Sequence, residues 1–158
     1  MEPDMSHASF SPTEQQLLEG VLDELIPRSS DGRLQAAGEI GLVASIDEAL
    51  AKTPAMRPVI EQGLATMSQL VRERGHDNIA AMPAAERAQA VKELESKDAG
   101  FLLTLMFLAY PAYYEHPKVL TALGLEPRPP YPQGYAMKTH DLTLLDPVRA
   151  RPKMFRGA

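Results

Sequence analysis

The segment Phe101 to Tyr110 is apolar at almost every position, and no other feature limits the fold so strongly. It is roughly half the ~20 residues that a helix needs to span a bilayer, so it is read as a core segment and not as a membrane span. A helix without a polar face belongs at the centre of a helical bundle. Asp98 is placed to cap it. Pro111 cannot supply a backbone N–H, so the helix is expected to kink or end there.

The rest of the chain offers helices to surround it. Ser11-Pro12-Thr13-Glu14 reads as a capping box with proline in the first turn. Leu17, Leu18, Val21, Leu22, Leu25 and Ile26 then recur at helical spacing until Pro27. A polar loop, 28–38, precedes a second helix expected over Glu39 to Lys52. Thr53-Pro54 breaks that helix. A third follows on Ile60, Leu64, Met67, Leu70 and Val71 and closes near Arg74, with Gly75 as its C-cap. Pro83 opens a weaker, alanine-rich helix to about Glu95. Pro117 opens a short one ending at Gly124. No stretch alternates with period two. The expectation is an all-α protein: a compact bundle of about five to six helices spanning 11–124, after a flexible N-terminus at 1–10.

Residues 125–158 differ in kind. They hold six of the 14 prolines, and charge changes sign there: ten basic against eighteen acidic groups before residue 125, six against three after it. Dense proline favours extended backbone. Yet Tyr131, Tyr135, Leu142, Leu144, Leu145 and Phe155 make the segment richer in apolar residues than a disordered tail. It is read as an extended, ordered C-terminal arm that lies on its own bundle or along a partner.

Chemistry finds little support in the sequence. There are no cysteines, which excludes disulfides and thiolate ligands. The net charge of -5 argues against nucleic acid, which needs a basic face. No nucleophile elbow, phosphate loop, dinucleotide fingerprint or H-E-x-x-H is present. The densest polar cluster is Tyr113-Tyr114-Glu115-His116-Pro117. Neighbours on a helix point about 100° apart, so Glu115 does not orient His116 well. His116 is better placed to cap the short helix, and the tyrosines to plug the bundle end. His76-Asp77 and His140-Asp141 lie in loop-like segments. No histidine pair has the helical spacing of a metal site. No catalytic, cofactor-binding or metal-binding residue is therefore assigned.

Three stretches carry a family resemblance. They are Leu22-Asp23-Glu24-Leu25-Ile26-Pro27 with Ala36-Ala37-Gly38-Glu39 and Val43-x-x-Ile46-Asp47; Phe101-Leu102-Leu103-Thr104-Leu105 with Tyr113-Tyr114-Glu115-His116-Pro117 and Ala122-Leu123-Gly124; and the proline-rich stretch ending Gly134-Tyr135. Together they resemble the gluconate 2-dehydrogenase subunit 3 family over roughly 15–135. The resemblance implies a non-catalytic small subunit that binds and stabilises a large FAD-dependent dehydrogenase of the glucose–methanol–choline type. That partner oxidises a sugar or sugar acid and holds the FAD. Many members carry a twin-arginine export signal. No Arg-Arg stands near this N-terminus, so a cytoplasmic location is expected, with co-export to the periplasm on a partner as the alternative.

The partner interface is expected at Tyr113, Tyr114, His116, Tyr131, Tyr135, Arg149, Arg151 and Phe155, because aromatic residues and arginine favour interface cores. A free-standing helical interaction module, and an enzyme using Tyr113, Glu115 and His116, are the competing readings.

Overall fold

Helix α1 (Pro12–Leu25) starts where the capping box requires. The Glu14 amide donates to the Ser11 hydroxyl, and the Glu14 carboxylate accepts from the Ser11 amide at 2.8 Å. Leu18, Val21 and Leu22 are fully buried along one face. The computed structural model describes residues 10–129, 131–134 and 141–152, with seven α-helices and, among the described residues, no strand.

The loop after α1 is held against that helix. Asp23 Oδ1 accepts from the Gly38 amide at 2.7 Å, and the Ala37 amide donates to the Ile26 carbonyl at 3.0 Å. Gly38 has no room for a side chain, since a Cβ there would stand 2.5 Å from the Glu19 carbonyl oxygen. A 3-10 turn over Gly38–Ile40 follows, and Gly41 at φ 78 breaks it. Helix α2 (Val43–Lys52) therefore begins four residues later than the apolar spacing predicts. Left-handed backbone at Gly41 interrupts a run whose side chains alone read as continuous.

Helix α3 (Arg57–Glu73) buries Ile60, Leu64, Met67, Leu70 and Val71. It stops at Gly75, whose φ of 76 lets the His76 amide return to the Val71 carbonyl at 3.2 Å. Helix α4 (Ala84–Lys97) and helix α5 (Ala99–Glu115) meet at a single residue. Asp98 ends α4 with its amide on the Leu94 carbonyl, and it starts α5 by accepting from the Phe101 amide at 3.1 Å.

Helix α5 packs against α3, α2 and α4. It continues through Pro111, where a kink or end was expected. The carbonyl that Pro111 leaves without a helical donor belongs to Phe107, on the exposed side of the helix, where water can supply the missing bond. A second expectation also needs correction. Helix α5 is not enclosed on all sides: Phe101, Leu105, Leu108 and Ala109 are buried, while Leu103 and Phe107 are 64% and 65% exposed.

Three ion pairs tie helices that are distant in sequence. Arg57 meets Asp47 between α3 and α2, Arg74 meets Glu93 between α3 and α4, and Arg87 meets Glu24 between α4 and α1, each at 2.6 Å. The Arg57 guanidinium also lies over the Phe10 ring, 5.4 Å from its centroid, and so pins the chain just before α1. Helix α6 (Pro117–Ala122) closes the helical unit.

That unit ends at Arg128, and Pro129 begins a second. The second unit contains a 3-10 turn (Leu142–Leu145) running into helix α7 (Asp146–Arg149). Asp141 caps the turn by accepting from the Thr143 amide at 3.0 Å. Among the described residues the C-terminal segment, expected to be extended, includes this 3-10 turn and short helix. Asp141 and Asp146-Pro147 each supply a helix start that proline counting overlooks.

Two predictions follow from this packing. A methyl at Gly63 would stand 2.0 Å from Cγ of the fully buried Phe101. Gly63→Ala should therefore destabilise by up to about 2 kcal/mol in denaturant unfolding, since overpacking of about 1–3 kcal/mol is offset only in part by a helix-propensity gain of about 1 kcal/mol.

Burial raises the Asp23 carboxyl above its ordinary range and Glu39 adds to the rise, against the Gly38 hydrogen bond that opposes it. A raised folded-state value means that the ionised form carries a penalty at neutral pH, which fades as pH falls through that value. Asp23→Asn, which keeps an acceptor for Gly38, should be the more stable form at pH 7. Its advantage should disappear on acidification, as read from thermal midpoints across pH.

Candidate interaction surface

The C-terminal half of α5 gathers the aromatic residues that the sequence singled out, but it divides them between two jobs. Tyr113 faces inward and is 1% exposed. Its hydroxyl donates to the Gln35 carbonyl at 2.7 Å, fixing the 28–38 loop to the bundle end. Burial, helped by Tyr114 and Glu39, pushes its phenol up. Tyr113 therefore plugs the bundle end, with its ring buried in the chain. It was also expected at the interface; in the chain itself it lies inside the fold.

Tyr114 faces outward, 48% exposed. Its ring stands edge-on to Tyr113 at 5.2 Å and stacks with Tyr110 at 6.3 Å and 8°. These contacts orient the outer rings from the buried one. With Leu103 and Phe107 they form a row at spacings of four, three and four residues. At about 100° per residue the row stays within about 60° of arc and runs for about 16 Å. Between Asp98 and Glu115 no residue is charged. The outer faces of α3 and α4, by contrast, carry Glu61, Arg72, Glu73, Glu86, Lys92 and Glu95.

The remaining polar groups serve the fold. His116 Nδ1 accepts from the Lys118 amide at 3.3 Å and caps α6. His76 Nε2 lies 2.9 Å from Glu86. Arg28 and Glu39 pair at 2.6 Å, and that bond holds the Glu39 carboxyl below its ordinary range. Among the described residues no three His, Asp or Glu side chains come together as metal ligands. No buried side-chain nitrogen or oxygen lacks a partner there. A shallow groove of about 440 Å³ between Leu34, Ile40 and α6 has an apolar floor, and its titratable residues are Arg33 and Lys118. It contains no acid–base pair.

Of the expected interface residues in the second unit, Tyr131 is 85% exposed, and Arg149 bonds to Asp146 at 3.2 Å. Arg151 is exposed. Tyr135 and Phe155 lie outside the described residues, as does His140. Leu103, Phe107 and Tyr110 were missed. In an unbroken apolar run every helical spacing is present, so nothing in the sequence marks which side faces out.

Tyr113→Phe keeps the buried ring and removes only the bond to Gln35. It should lower stability by about 1 kcal/mol, the usual net worth of such a bond, in chemical denaturation.

No curated protein and no solved structure matches the chain. A family model does, from residue 12 to residue 129, which is nearly the whole of the helical unit and stops where the second unit begins. The chain belongs to the gluconate 2-dehydrogenase subunit 3 family.

Proposed function

We propose that this chain is a non-catalytic small subunit that binds and stabilises a large FAD-dependent dehydrogenase of the glucose–methanol–choline type, acting on a sugar or sugar acid. The observation that carries the reading is the family match across the helical unit, since the family is named as a subunit of a dehydrogenase. The geometry supports it. Tyr113 and His116, the residues best suited to chemistry, are spent on a loop anchor and a helix cap.

The flavin is assigned to the partner. A flavin pyrophosphate is gripped by a glycine-rich turn between a strand and a helix. Here Gly32, Gly41, Gly75, Gly124 and Gly134 each take a left-handed turn, and Gly38 and Gly63 permit close packing.

Co-expression tests the proposal. A tagged copy of this chain should purify with a larger, yellow, flavin-containing protein that oxidises a sugar or sugar acid. The large protein expressed without this chain should give markedly lower soluble yield and activity. Equal yield and activity in its absence would overturn the reading.

A further inference from the structure

We propose that the outer face of α5, formed by Leu103, Phe107, Tyr110 and Tyr114, is the ridge by which this chain docks, and that its occupant is an uncharged, apolar groove on the dehydrogenase subunit. The inference rests on the subunit reading above and adds the surface and the chemistry of its counterpart.

Charge is the first argument. A solvated helix face carries charged residues, and the outer faces of α3 and α4 do so. The outer face of α5 carries none from Ala99 to Tyr114. A groove complementary to it has no unpaired charge to bury, whereas a charged counterpart would be desolvated without compensation.

Spacing is the second. Apolar anchors at four, three and four residues along one helix are the pattern by which a helix seats in a groove. The rings are already oriented by the stacking of Tyr114 on Tyr110 and its edge contact with Tyr113. Tyr110 and Tyr114 are 40% and 48% exposed, so their hydroxyls can stay in water at the rim of the groove while their rings enter it.

Area separates the dehydrogenase from a second copy of this chain. Full aromatic side chains present about 150–250 Å², so the exposed fractions leave on the order of 100 Å² on each of the three rings and, with a similar exposed area on Leu103, about 400 Å² on the ridge. That lies in the range of the largest apolar patch on a typical monomer, which is often a functional one. Two ridges packed on each other would bury only about half of the ~800 Å² per partner of a standard interface. The ridge is large enough for the centre of a contact with a bigger body, and too small for a dimer built on it alone. The family match also ends at residue 129, so the surface common to such subunits is sought within the helical unit, where α5 lies.

The test uses the full chain and, as probe, the flavoprotein that the tagged wild-type chain retains, purified with its flavin. Phe107→Asp and Leu103→Asp should each weaken its binding by about thirtyfold or more, as expected for loss of a central anchor. Thermal midpoint and helical circular dichroism should stay at wild-type values, because both side chains are mostly exposed. Glu95→Ala, on the outer face of α4, should bind as wild type. Wild-type affinity in both ridge variants would overturn the inference and leave the subunit reading intact. A wild-type chain that retains no flavoprotein would overturn the reading itself. A wild-type dimer in light scattering that Phe107→Asp converts to monomer would assign the ridge to a second copy and overturn the inference.

Discussion

The helical unit depends on how closely α3 approaches α5, and that approach depends on Gly63. With no Cβ at this position, the Phe101 ring lies directly on the α3 backbone and is fully buried. Phe101 sits in the first turn of α5, so its placement fixes the rotation of the helix about its own axis. Leu105 and Leu108 follow Phe101 inward. Residues about 180° away must then face out, and these are Leu103, Phe107, Tyr110 and Tyr114. An interior glycine in one helix thus decides which side of another meets solvent. The loss of helix propensity at Gly63, about 1 kcal/mol, is the cost of that choice.

Around this contact the polar interactions orient more than they stabilise. The pairs Arg57–Asp47, Arg74–Glu93 and Arg87–Glu24 are partly exposed, and such pairs contribute about 1 kcal/mol or less each. Their value lies in joining α2, α3, α4 and α1 in one register. The loop between α1 and α2 is held from both sides: Asp23 takes the Gly38 amide, and Tyr113 reaches the Gln35 carbonyl from α5. The two ends of the bundle's long helices thereby share one short segment of chain.

How much of this was legible in the sequence depended on whether the signal was local. Ser11 with Glu14, Asp98, Gly75 and Pro117 all mark helix ends through bonds within a few residues, and the sequence reading placed them well. Gly63 gave a weaker sign, a glycine inside a helical pattern, which asks for a packing reason without naming the partner. The Tyr113–Gln35 bond spans 78 residues and has no sequence signature at all. The outer face of α5 was hidden by uniformity. Where every position is apolar, periodicity loses the contrast that separates inside from outside, and the helix was assigned to the centre. The same uniformity, placed on a surface by Phe101, is what makes the face stand out.

The junction at Asp98 has a mechanical meaning. One residue both closes α4 and opens α5, so no slack separates the two helices. Helix α4 is in turn clasped to α3 and α1 through Arg74–Glu93 and Arg87–Glu24. A force on the outer side of α5 therefore passes into the whole unit and is not absorbed by a hinge. A stiff surface gives up less conformational freedom when it is covered, which lowers one of the several costs of binding.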